Sequence, residues 1–95
     1  MIEVRQTAVF GRWLGGLRDQ QAVARIVRRV RQVERGLLGD AKYFQGIGEL
    51  RIDHGPGYRI YFMRQGDVVI LLLCGGDKRT QRRDIAQALD LAKEV

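Results

Sequence analysis

Arg51, His54, Arg59, Lys78 and Arg79 are the residues whose types and spacing could do chemistry in this chain. Arg51 and His54 fall near the end of one alternating stretch and Arg59 lies on the next. Lys78-Arg79 follows a Gly75-Gly76 pair at the end of a third. Cationic groups converging from three strands could hold a phosphodiester and stabilise the extra charge of a pentavalent transition state. Arginine suits this, because its planar fork of donors matches phosphate and carboxylate oxygens. His54 is the one side chain whose ordinary pKa lies near neutrality. It is either the acid or base of such a site or a turn residue that tolerates unusual backbone geometry. The Gly75-Gly76 pair would let backbone approach a ligand closely.

The elements that must position these groups are read from periodicity. Glu49–Asp53 alternates, with Leu50 and Ile52 facing one way. Gly55-Pro56-Gly57 breaks the pattern, and Tyr58–Arg64 resumes it with Tyr58, Ile60 and Phe62 on one side. Gln65-Gly66-Asp67 makes a turn, and Val68–Cys74 is apolar on both faces, as a covered central strand would be. Three antiparallel strands are therefore expected. Arg51 and Arg59 should share an open face with Tyr61, away from the apolar side.

The remaining elements pack this meander. Ile2–Gln6 alternates as a strand, and Thr7 caps a helix whose stripe is Phe10, Trp13, Leu14 and Leu17. Trp13 is read as core rather than partner-facing. Asp19 caps a second helix with Val23, Ile26, Val27, Val30, Val33 and Leu37 on one side, ended by Gly36 or Gly39. Arg25, Arg28, Arg29, Arg31 and Arg35 fill its other surface, either as a solvated face or as a strip against phosphates of a large RNA. Gly39–Gly48 reads as a loop. Its Lys42, Tyr43 and Phe44 would either stack on bases beside a phosphate or plug the core edge. A last helix, capped by Asp77 or Thr80, buries Ile85, Ala88, Leu89 and Ala92. The order β-α-α-β-β-β-α predicts one α+β domain over residues 1–95 with a mainly antiparallel sheet.

Charge narrows the partners. A net charge of +6 and a pI near 10.2 in 95 residues point first to nucleic acid and then to an acidic protein segment. Cys74 is alone, so no internal disulfide forms and it reads as a small hydrophobe. Met1-Ile2-Glu3-Val4 lacks the basic and apolar regions of a signal peptide, and Val68–Cys74 is too short for a bilayer. A cytoplasmic protein without membrane contact is expected.

The run from Glu49 to Phe62, with its Gly57-Tyr58-Arg59 step, and the run Gly75-Gly76-Asp77-Lys78-Arg79-Thr80-Gln81 together resemble the RelE/ParE toxin superfamily. The likeness is greatest to its HigB-like branch, often called addiction module killer proteins, and covers essentially the whole chain. The resemblance implies a toxin neutralised by a cognate antitoxin in a toxin–antitoxin hetero-oligomer. It further implies an endonuclease that cuts mRNA on the ribosome by attack of a 2′-hydroxyl on the adjacent phosphate, with no metal and no cofactor. By that likeness Arg59 and Arg79 stabilise the scissile phosphate and His54 is the candidate proton-transfer group. Arg51, Lys78, Lys42 and Tyr61 would contact RNA. The final helix departs from the best-known RelE nucleases, carrying Asp84 and Ile85 where they have a tyrosine. The rival on the same fold is a ParE-like poison of DNA gyrase with no enzymatic activity. The antitoxin should cover the basic face, the Val69/Leu71/Leu73 side of the sheet, or both. The nuclease reading requires Arg59 and Arg79 on one side of the molecule, not each locked into an internal carboxylate.

Overall fold

In a computed structural model describing residues 1–95, β1 (Glu3–Gln6), β2 (Ala41–Phe44), β3 (Ile47–Ile52), β4 (Tyr58–Gln65) and β5 (Val69–Asp77) form one sheet. Its order is β1-β5-β4-β3-β2. The β2-β3-β4-β5 ribbon is antiparallel throughout, whereas β1 joins β5 in parallel. The α+β class and the three strands over residues 47–77 match the alternation read from sequence.

The first difference is β2, which lies where a loop is expected. Gln45 and Gly46 form a two-residue connection, both with positive φ (53° and 85°), and Phe44 pairs with Ile47. Two left-handed residues in succession mark the hairpin turn whose twist matches its strands. Lys42, Tyr43 and Phe44 thus sit on a paired strand. Tyr43 lies edge-on to Phe62 with ring centroids 5.8 Å apart, and Phe44 joins the opposite side of the sheet. The packing of Phe44 supports the core-edge reading, whereas Tyr43 stays 57% exposed.

The second difference concerns the glycine pair, which does not break β5. The β4–β5 register shifts between Tyr61 and Phe62, whose partners are Cys74 and Leu72, so Leu73 is the extra residue of a bulge. After the bulge Gly75 turns to one face and Gly76 to the other. A methyl group on Gly75 would fall inside the Trp13 ring, and one on Gly76 inside the Asp84 carboxylate. Both glycines are required for packing, not for approach of a ligand.

Helices cover both faces. α1 (Ala8–Gly15) begins at Thr7, whose hydroxyl accepts from Phe10 N at 3.0 Å and donates to Leu73 O at 2.5 Å, tying the helix to the bulge. α2 (Gln20–Glu34) is capped by Asp19, and Leu37 N to Gln32 O (2.9 Å) with Gly36 N to Val33 O (2.8 Å) closes its C-terminus through left-handed Gly36. With α1, it buries Phe10, Ala22, Ile26 and Val33 against Leu50, Ile60, Phe62 and Leu72. Each of these except the small Ala22 contributes roughly 1.5–3 kcal/mol by leaving water. Trp13 packs there as expected, 5.7 Å from Phe10 and 6.3 Å from Tyr58 between ring centroids. α3 (Gln81–Lys93) covers the other face, burying Ala88 over Tyr61, Leu71, Leu73 and Cys74. The Leu71/Leu73 side is consequently occupied by the chain's own helix, which removes it as a docking face. No helix is long and apolar enough to cross a membrane.

Candidate functional site

Strand register decides which basic groups meet. Leu50, Ile52, Tyr58 and Ile60 turn toward α1 and α2, so the residues between them turn toward α3. Arg51 opposes Arg59 across β3 and β4, and Glu49 opposes Lys42 on one side and Tyr61 on the other. Four of the expected contact residues, Lys42, Arg51, Arg59 and Tyr61, therefore share one face. It is not uniformly open. Lys42 is exposed and Arg51 keeps 36% of its side-chain surface, but Arg59 keeps 13% and Tyr61 none, because α3 closes over β4 and β5.

Beneath Arg59 lies a polar cluster that periodicity alone does not reveal. Glu49 is 1% exposed and accepts from the Gln81 side-chain N–H at 2.8 Å. Arg59 Nε stands 4.0 Å from the same carboxylate oxygen, too far for a hydrogen bond, and is itself buried without a partner. The Tyr61 hydroxyl is also buried and unpartnered. Burial first, and the nearby Glu49 charge second, push its pKa well above the ordinary value, so the phenol stays neutral and is no general base. Burial pushes the Cys74 thiol up to about 12, in keeping with an inert core residue.

The end of β5 leads into a 3-10 turn over Lys78–Thr80. Asp77 caps it, accepting from Arg79 N at 2.8 Å, while Thr80 Oγ1 donates to Asp84 Oδ2 at 2.5 Å and fixes the start of α3. Lys78 packs beside Gly57 in the β3–β4 turn. Arg79 donates to Asp77 Oδ2 at 3.0 Å yet is 78% exposed, so this surface pair is weak and water-screened. Both candidate arginines thus have a carboxylate neighbour. Glu49 is internal but not hydrogen-bonded to Arg59, and Asp77 leaves Arg79 free to swing out. Arg59 pairs in register with Gly76, three residues before Arg79, which puts both at the junction of β5 and α3.

The Asp77 contact has a measurable consequence. Its hydrogen bond from Arg79 holds its pKa below the ordinary carboxylate value, as the His54 contact does for Asp19. A depressed acid stabilises the fold above its unfolded pKa, and that stability is lost as pH falls through the folded value. Melting temperature should therefore drop as pH falls below about 4. Asp77→Asn should flatten this acid limb; an unchanged limb would show that the Arg79 contact does not depress the Asp77 pKa.

His54 belongs elsewhere. Its Nε2 lies 3.0 Å from Asp19 Oδ2, and its ring stacks on Tyr58 at 6.4 Å with 19° between planes. Tyr58 packs in the α1–α2 core, on the face opposite Arg59. The imidazole thus links the β3–β4 turn to the cap of α2, on the face of the sheet opposite the Arg59 side chain. The sequence assigns no role to Glu49, Gln81 or Asp84. Glu49 was within reach, since alternation already turned it to the side of Arg51. No group of three or more His, Cys, Asp or Glu side chains is placed to hold a metal ion.

The architecture is shared with a solved structure. One chain of the RelBE2 toxin–antitoxin complex of Mycobacterium tuberculosis matches 81% of this chain and 98% of its own length with a TM-score of 0.56, at 20% identity. No family model matches the sequence. The chain belongs to the same family as an uncharacterized protein of Haemophilus influenzae, to which it is 46% identical over 95 residues, covering 99% of this chain and 96% of that relative.

Proposed function

We propose that the chain is the toxin of a type II toxin–antitoxin pair, of the HigB-like kind, acting in the cytoplasm as a ribosome-dependent endonuclease on mRNA. The observation that carries this reading is the cross-strand Arg51/Arg59 pair beside the start of α3, with Lys78 and Arg79 at the same junction, on a RelE-like fold. In the reaction the 2′-oxygen bonds to phosphorus and the bond from phosphorus to the 5′-oxygen breaks, leaving a 2′,3′-cyclic phosphate and a 5′-hydroxyl. Arg59 and Arg79 stabilise the charge of the pentavalent intermediate. With His54 on the far face and Tyr61 neutral and buried, the 2′-proton and the proton taken up by the 5′-oxygen pass through water or ribosomal groups. An antitoxin with an acidic segment covers the basic face and holds the toxin in a hetero-oligomer.

The burial of Glu49 and Tyr61, the titratable side chains beside Arg59, favours one second reading, a non-enzymatic poison of DNA gyrase. Inducing the protein while mapping mRNA 5′ ends and plasmid supercoiling separates the two. New mRNA ends that vanish in Arg59→Ala/Arg79→Ala support the nuclease. Intact mRNA with abnormal supercoiling or broken DNA supports the gyrase poison and overturns the first reading.

A further inference from the structure

Where α2 meets the end of β3, a groove is lined by Arg25, Arg28, Arg29 and Gln32 and closed by Asp53 and by Arg51, the cross-strand neighbour of Arg59, whose guanidinium is held at this edge by Asp40. It continues past Arg25 and Arg28 into a second depression that Gln21 and Ala24 also line. Two of its four guanidinium groups are fixed in advance. Asp40 accepts from Arg51 at 2.7 and 3.1 Å through one carboxylate oxygen, and its backbone carbonyl accepts from Arg29 at 2.9 Å. Gly39 clears the space for Arg29, since a methyl group there would press on that guanidinium. The other two, Arg25 and Arg28, are exposed and make no ion pair or side-chain hydrogen bond within the chain.

We infer that this groove seats the sugar–phosphate backbone of double-stranded RNA, as a contact separate from the Arg59 junction. Three features select that ligand. The groove is open and its cations are strung along the helix, so it suits a repeating anion more than one phosphate held in a cavity. Arginine forks match phosphate oxygens and are more weakly hydrated than lysine. No aromatic side chain lines it, so it offers no platform on which unpaired bases could stack, and a backbone whose bases are already paired fits better. Burial lowers the pKa of Arg29, and a polyanion seated beside it offsets that penalty. The functional reading supplies only the choice of RNA over DNA.

The test is equilibrium binding of the purified protein to a labelled 20-base-pair RNA duplex over a salt series, with circular dichroism to verify folding of every variant. Arg25→Glu/Arg28→Glu should weaken binding at least tenfold and flatten the log–log salt dependence by about two counterions. Arg25→Lys/Arg28→Lys should keep the slope. Arg82→Glu/Arg83→Glu makes the same charge change on exposed positions of α3 and should leave the duplex affinity within about twofold of the parent, well short of the one-base-contact scale. Equal losses in both charge reversals would reduce the effect to net charge and overturn the groove. Tighter binding of single-stranded RNA, of a DNA duplex, or of polyglutamate at equal charge would also overturn it. Arg59→Ala/Arg79→Ala keeps duplex binding if the inference holds, whether or not the chain cleaves mRNA, so the two ideas fail separately.

Discussion

Gly76→Ala lowers the unfolding free energy by about 3 kcal/mol, the upper part of the range for an overpacked core. The added methyl falls within the Asp84 carboxylate. That group has nowhere to go, being 2% exposed and held by Thr80 at 2.5 Å. In urea the midpoint should move down by about 2 M, given the slope usual for a small protein. The diagnostic partner is Asp84→Ala. In the double variant the clash is gone, so Gly76→Ala should cost far less on that background, a coupling that a mutant cycle reads directly. A midpoint that stays put in Gly76→Ala would mean that β5 does not run under α3 as described. A cost unchanged by Asp84→Ala would place the clash on backbone instead.

Arg59→Ala should reduce mRNA cleavage by about a hundredfold to a thousandfold, the usual loss when one charged donor to a transition state is removed. Arg59→Lys should restore little, because an ammonium lacks the two-pronged donor set. The substitution also acts on the fold. Glu49, 1% exposed, would lose the cation 4.0 Å away and keep only the Gln81 N–H. A buried carboxylate without its counter-charge is costly. Arg59→Ala/Glu49→Gln separates the effects, since it should recover melting temperature without recovering cleavage. Full growth arrest and new mRNA ends in a folded Arg59→Ala protein would remove Arg59 from the mechanism.

Much of this was legible where side chains alternate. Leu50, Ile52, Tyr58, Ile60 and Phe62 gave the α1–α2 face, and the same alternation placed Arg51, Arg59 and Tyr61 together. Thr7 and Asp19 announced two helices through their capping oxygens. β2 was hidden because it is four residues long and its turn begins with glutamine, not the asparagine or aspartate that usually signals two left-handed positions. Gly75-Gly76 misled because two glycines normally end a strand. Here they admit Trp13 and Asp84, distant groups that no local pattern displays. The depth of Glu49 and Tyr61 depended on where α3 lies, and His54 on contact with Asp19, 35 positions earlier. Periodicity tells which way a residue points and not what waits there.

The parallel register of Glu3 with Val69 bears on how the polypeptide matures. While it is being synthesised, the first strand has no neighbour to join until Val69 and the residues after it have emerged. Hairpins from β2 through β5 can zip locally as they appear, whereas the N-terminal third must wait and then dock on a finished ribbon. Phe10, Ile26 and Val33 lack the β5 part of their cover during that interval, Ile70 and Leu72, so the nascent stage leaves this protein open to chaperones and to misassociation.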